Sequence, residues 1–484
     1  MRLLCVLALL VVASLQCHGL LLPLTNTLTS LSPTNGSSVH HLIRASSLRS
    51  AARHRRRHRA HRQVSLPLAS GSDYTLSLTV GPVSAANPVT LFLDTGSDLV
   101  WFPCAPFTCM LCEGKPTPGN TSSSQGPLPP PIDSRRVPCA SPLCSAAHSS
   151  APPADLCAAA NCPLDDIETG SCASRHACPP LYYAYGDGSL VAHLRRGRVS
   201  LAASVAVENF AFACAHTALA EPVGVAGFGR GRLSLPAQLA PGLSGSFSYC
   251  LVAHSFRADR LAQPSPLILG RDPDATASAG RIDPAETDFV YTPLLHNPKH
   301  PYFYSVALEA VSVGGTRILA RPELGYVDSD GGGGMVVDSG TTFTMLPNET
   351  HARVAEEFSR AMAAARFQRA DAVEDETGLA PCYYYASSPS SDRDVPPMAL
   401  HFGGNATVLL PRSNYFMGFK SEEGRSVGCL MLMRSWEDDE SAGPAGTLGN
   451  LQQQGFEVVY DVDAGRVGFA LRRCADLWDS LSRR

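Results

Sequence analysis

Apolar residues along this chain come in short runs broken by glycine, proline and serine rather than in long stripes. Tyr74-Thr-Leu-Ser-Leu-Thr-Val80 alternates apolar with polar positions, and Val205-Ala-Val-Glu-Asn-Phe210 and Phe456-Glu-Val-Val-Tyr460 are equally short. Period-two runs of this length, rich in β-branched and aromatic residues, predict strands. One segment has helical spacing instead: Asn348 to Phe367 puts Ala352, Ala355, Phe358 and Met362 on one stripe, with Pro347-Asn348 able to start it. The expected fold class is mostly β with a few short helices, and the 40 glycines and 38 prolines fit many turns.

The two ends change that picture. Arg2, the apolar run Leu3 to Ala13 and the small and polar residues to Gly19 read as a secretory signal peptide over residues 1–19, since the run is too short to span a bilayer. No later segment reads as a membrane anchor, and the end from Cys474 to Arg484 lacks the hydrophobic tail of a lipid-anchor signal. Residues 20–63 read as a propeptide outside the core, ending in the basic stretch Arg53 to Arg62. The first 72 residues hold nine arginines and no acid, leaving a net charge of −13 on the remainder. That asymmetry implies attraction between leader and body, and behind a signal peptide a propeptide explains it better than a nucleic-acid arm. What remains is too long for one core, so an N-terminal lobe over 64–285 and a C-terminal lobe over 286–484 are expected.

Beyond the signal peptide fourteen cysteines remain, nine of them between Cys104 and Cys178. Cys109-Met-Leu-Cys112 with Cys139 and Cys144 has spacing that could hold zinc in a cytosolic protein. In an oxidising compartment disulfides are the expected use, stapling an insertion over 104–178 that is otherwise rich in proline and serine.

The chemistry lies in a repeat. Asp94-Thr95-Gly96-Ser97 follows the apolar run Val89 to Leu93, and Asp338-Ser339-Gly340-Thr341 follows Met335 to Val337. Each unit has a strand, an acid at its end, a glycine for a tight turn and a hydroxyl three positions on that can fix the carboxylate. One such turn is ordinary surface architecture; two, separated by 244 residues, suit one acid per lobe. Paired carboxylates cannot both ionise cheaply, so they share a proton. The charged partner then draws a proton from water while the other hydrogen-bonds a substrate carbonyl, and the pair titrates as a unit.

Between residues 72 and 475 the chain resembles the pepsin-like aspartic proteases, in particular their cysteine-rich plant branch typified by nepenthesin. The motifs are Asp94 to Trp101, Tyr185-Gly-Asp-Gly-Ser189, Val225-Ala-Gly227, Phe247-Ser-Tyr-Cys-Leu251, Asp338 to Phe343 and Leu448-Gly-Asn-Leu-Gln-Gln-Gln454, in family order. The resemblance implies a bilobal acid protease fold and a secreted aspartic endopeptidase made as a zymogen, destined for the medium, cell wall or vacuole. In it Asp94 and Asp338 would be catalytic, Ser97 and Thr341 would orient them, and Tyr185 would sit on a flap over the peptide. It also implies disulfides Cys382–Cys429 and Cys250–Cys474. No metal or organic cofactor is implied, and the partners would be a peptide or protein substrate and the chain's own propeptide, in a monomer. After Ser189 the chain reads Leu-Val-Ala-His-Leu-Arg-Arg, departing from the family's usual Thr and Gly.

Rival readings are a pepsin-like scaffold that binds without cleaving, a dinucleotide loop at Gly227-Phe-Gly-Arg-Gly231 and a serine nucleophile at Gly424-Arg-Ser-Val-Gly428. The second lacks the full glycine spacing, and the third needs a helix where Cys429 to Met433 reads as a strand. Asn35, Asn120, Asn348 and Asn405 head acceptor triplets for N-linked sugar; Asn120 lies in the insertion, and Asn348 is a candidate helix cap.

Overall fold

The computed structural model describes residues 20–26, 74–82, 87–112, 133–149, 151–173, 175–185, 188–202, 205–239, 243, 245–253, 264–271, 287–385, 394–421, 423–435 and 443–482, with backbone alone for 20–26 and 202. The expected signal segment 1–19, the basic stretch 53–62, Asn35, Asn120 and the pair Gly186 and Asp187 lie outside them.

The architecture is mostly β. Its two halves meet in one antiparallel sheet, ordered Leu20–Asn26, Ser265–Leu269, Ser246–Cys250, Phe456–Asp461, Arg466–Leu471 and Val290–Leu295. The central pair, Ser246–Cys250 against Phe456–Asp461, comes one strand from each half of the chain, with Phe247 opposite Tyr460 and Tyr249 opposite Val458. Phe247, Tyr249, Tyr304 and Tyr460 are fully buried on this sheet, and the Phe247 and Tyr460 rings stack at 4.6 Å. Aromatic pairs of this kind add to the burial of their area, which binds the halves together.

The expectation that all of 20–63 lies outside the fold is corrected at its start. Leu20–Asn26 pairs with Ser265–Leu269 and touches Tyr74–Val80, forming an outer strand of this sheet. Strand Val290–Leu295 occupies the equivalent outer place on the other side, so the leader supplies what the pseudo-symmetry requires.

Each half repeats one arrangement around its acid. Asn87–Asp94 runs parallel to Gly224–Gly227, and Met335–Val337 runs parallel to Gly446–Leu448. The helix Asn348–Ala364 covers the C-terminal half with Thr350, Val354, Phe358 and Met362 buried. This corrects the expected stripe at one position: Ala352 is exposed and Val354 is buried instead, while Ala355 packs partly buried against the core beside Phe358 and Met362. Asn348 is not the cap; Pro347 holds that position, with no side-chain cap bond, and Asn348 is exposed in the first turn.

All fourteen cysteines after residue 19 are paired. Cys250–Cys474 and Cys382–Cys429 are joined, as are Cys104–Cys214, Cys109–Cys112, Cys139–Cys172, Cys144–Cys178 and Cys157–Cys162. Bonded thiols leave no tetrahedral thiolate set for zinc. Among the described residues no helix is long and apolar enough to cross a membrane.

Candidate active site

Asp94 ends its strand buried beneath the surface, and its carboxylate is fixed from two sides. The Gly96 amide donates to Oδ1 at 2.9 Å and the Ser97 hydroxyl to Oδ2 at 2.6 Å. Asp338 is held identically, by the Gly340 amide at 2.9 Å and by the Thr341 hydroxyl. Hydrogen bonds to an ionised carboxylate are stronger than neutral ones, about 1.5–3 kcal/mol each. The hydroxyl three positions after each acid therefore sits where the turn logic put it.

What brings the two turns together was not read from the sequence. The residues after the acids, Thr95 and Ser339, interlock across the halves. Thr95 Oγ1 donates to the Val337 carbonyl at 3.0 Å and accepts from the Ser339 amide at 2.9 Å. Ser339 Oγ donates to the Leu93 carbonyl at 3.0 Å and accepts from the Thr95 amide at 3.1 Å. Each hydroxyl thus bonds the main chain of the opposite turn, and all four residues are buried, so water cannot replace these bonds. The signal available was that each second position carries a hydroxyl, Thr in one turn and Ser in the other.

Further main-chain bonds support each turn. Phe228 N donates to the Asp94 carbonyl at 2.7 Å and Gly229 N to the Ser97 carbonyl at 2.7 Å. In the other half Asp338 N donates to Leu448 O at 3.0 Å and Asn450 N to Thr341 O at 2.7 Å. Gly227 and Gly449 allow this approach: a Cβ on Gly227 would lie 2.5 Å from the Leu99 nitrogen, and one on Gly449 2.5 Å from the Phe343 carbonyl carbon. Gly227 to Gly231 is thus a backing loop for the first acid, not a phosphate cradle. Below the interlock, Tyr249 and Tyr460 share a hydroxyl contact at 2.7 Å, and Tyr460 Oη reaches Thr95 Oγ1 at 3.4 Å. Burial raises both phenols well above their ordinary range, keeping them neutral donors.

Tyr185 lies at the end of the hairpin formed by Leu181–Ala184 and Ser189–Ala202, with its amide donating to the Gly188 carbonyl at 2.7 Å. Its ring lies 6.3 Å from Trp101 and 4.9 Å from Tyr183. Burial first, then the Asp94 charge, raises its phenol, while interactions with Trp101 and Ser97 oppose that shift. A hairpin tyrosine is therefore electrostatically coupled to the first acid. Asp98, one residue beyond the first turn, packs its carboxylate on Gly231, and burial raises it to about 6. Nothing in the sequence reading singled it out.

Ser426 begins the strand Ser426–Leu430 and accepts from Lys420 Nζ at 2.8 Å. A serine starting a strand, with no helix after it, is not a nucleophile elbow. The site thus comprises two buried carboxylates in interlocked turns beside a tyrosine hairpin, a set able to activate water and polarise a carbonyl.

Comparison with known proteins agrees. Residues 74–271 match the family described as Xylanase inhibitor N-terminal, and residues 303–471 match Xylanase inhibitor C-terminal. A probable aspartyl protease of Arabidopsis thaliana is 55% identical over 439 residues, covering 86% of this chain and 85% of that protein. Aspartic proteinase nepenthesin-1 of Nepenthes gracilis is 29% identical over 416 residues, covering 84% of this chain and 79% of that protein. Among solved structures, edgp superposes with a TM-score of 0.58 at 19% identity, covering 82% of this chain and 91% of that one. Basic 7S globulin from soybean gives 0.55 at 19%, covering 84% and 95%. At such identities the structures bear on the fold alone, which is the two-lobed pepsin-like one. On its sequence relatives and family matches, the chain belongs to the plant pepsin-like aspartic proteases, in their nepenthesin-type branch.

Proposed function

We propose that this protein is an active aspartic endopeptidase, exported through the secretory route and made as a zymogen. The observation that carries the activity is the complete duplicated turn: both acids, both orienting hydroxyls and both interlocking hydroxyls are present and bonded. Asp94 and Asp338 share one proton; one takes a proton from the attacking water while the other polarises the scissile carbonyl. Tyr185 closes over the bound peptide and helps exclude bulk water. The substrate is a peptide or protein and the working unit a monomer with lobes over 64–285 and 286–484. Residues 1–19 direct export, and 20–63 form the propeptide.

The basic leader and the −13 body attract one another at neutral pH, and protonation of carboxylates on acidification loosens that contact. Cleavage then falls between Arg62 and Ser72. Purified precursor carrying Asp94→Asn should stay uncut at acid pH; processing equal to wild type would rule out self-cleavage.

A second reading is favoured by the family descriptions, which name xylanase inhibitors: a pepsin-like scaffold that binds a partner without cleaving it. Scaffolds of that kind characteristically lose an acid or its supporting residue, whereas this chain keeps the whole set. Hydrolysis of a peptide at acid pH, blocked by a hydroxyl-containing transition-state mimic, separates the two. A correctly folded mature protein with no such turnover would favour the binding scaffold.

A further inference from the structure

Away from the acids, the N-terminal half gathers positive charge on one sheet. The short strand Arg135–Arg136 pairs with Ser189–Ala202 so that Arg136 stands opposite Arg195, and Arg135 opposite Arg196. Like charges directly opposite each other repel. His193 follows on the same face as Arg195, two residues away, and its ring meets that of His216 with centroids 4.9 Å apart. Arg195 spends two donors on neutral acceptors, the Ser134 hydroxyl and carbonyl, each at 2.8 Å. The nearest ion pair on this strand joins Arg198 to Glu208; among the described residues none reaches Arg136, Arg195, His193 or His216. The Nδ1 atom of His193 is buried without a hydrogen-bond partner.

The electrostatics agree with the geometry. Burial, then Arg136, His216 and Arg195, hold the His193 ring down at about 4. Arg195 is lowered by burial and by Arg136. Among the described residues no carboxylate contributes to either shift, although the chain after residue 72 is acidic by 13 charges. With no carboxylate among them to answer this cluster, an anion from solution can supply its counter-charge.

We propose that Arg136, Arg195, His193 and His216 form a binding site for a tetrahedral oxyanion, phosphate or sulfate, free or as a monoester. Donors contributed by three strands converge, which suits an ion with several acceptor oxygens better than a single planar carboxylate. The site is independent of the peptidase reading, since it touches neither acid.

The test is thermal unfolding of the mature protein at pH 6 in inorganic phosphate, with chloride at matched ionic strength as control. Phosphate should raise the midpoint saturably, and it should raise the pH at which the His193 ring titrates, read by NMR. Arg136→Gln, at an exposed position, and His216→Gln should each weaken binding about tenfold or more. Glycerol phosphate distinguishes the sources: binding as tight as phosphate points to an ester, and binding by phosphate alone to the free ion. No saturable effect beyond chloride, or an unchanged response in Arg136→Gln, would overturn the proposal.

Discussion

Asp98→Asn should stabilise the protein at neutral pH and leave it unchanged at acid pH. The Asp98 carboxylate packs against Gly231, where a Cβ would lie 1.8 Å from its Oδ2, and burial raises it from 3.8 to about 6. Because the folded form holds its proton more tightly than the unfolded chain, native protein binds more protons between those values. Stability therefore falls as pH rises from about 4 to about 6, and the loss persists above that range. The interval between those values corresponds to about 3 kcal/mol, which is the most that asparagine, neutral throughout, could restore. Urea unfolding of both proteins at several pH values, with disulfides intact, gives the difference directly. It should be near zero at pH 4 and reach its full size by pH 7. A difference independent of pH, or a mutant less stable at pH 7, would refute the assignment. The cost disappears under acidic conditions, where a carboxylate dyad sharing a proton works.

Three further outcomes follow from the site. Thr95→Val removes two interlocking bonds and leaves the buried Ser339 amide unpaired, so stability should drop by about 1–3 kcal/mol and turnover should fall with it; unchanged turnover would mean the interlock does not position the acids. Tyr185→Phe should lower kcat/KM by about tenfold while leaving the unfolding midpoint nearly unchanged, and full activity in peptide assays would remove the flap role. Asn405 is exposed in a turn with a φ of 61°, and mass spectrometry of protein from a native secretory route should find sugar there; a bare Asn405 and Asn120 would count against export through that route.

Much of this molecule could be read from local pattern. Tyr74–Val80 is a strand over the residues where alternation placed one, and both acidic turns hold their hydroxyls as the spacing required. What escaped depends on distant chain segments meeting. The Thr95 and Ser339 bonds span 244 residues, and no local rule says that one hydroxyl will accept from the opposite turn. The strand Leu20–Asn26 escaped because a strand formed by a leader is indistinguishable in composition from an apolar processing segment. The helix face was misread at Ala352 because alanine is compatible with either environment, while Val354 gains more by burial. Asp98 looks in the sequence like any polar residue after a turn; only its packing on Gly231 distinguishes it.

The central claim is that both acids act as one unit. Its most direct measurement is peptide hydrolysis across acid to neutral pH by wild type, Asp94→Asn, Asp338→Asn and the double variant, each confirmed folded. Either single change should abolish turnover, the double change should add little, and wild-type activity should decline as pH rises and the shared proton is lost. Near-normal turnover in either single variant would contradict the account.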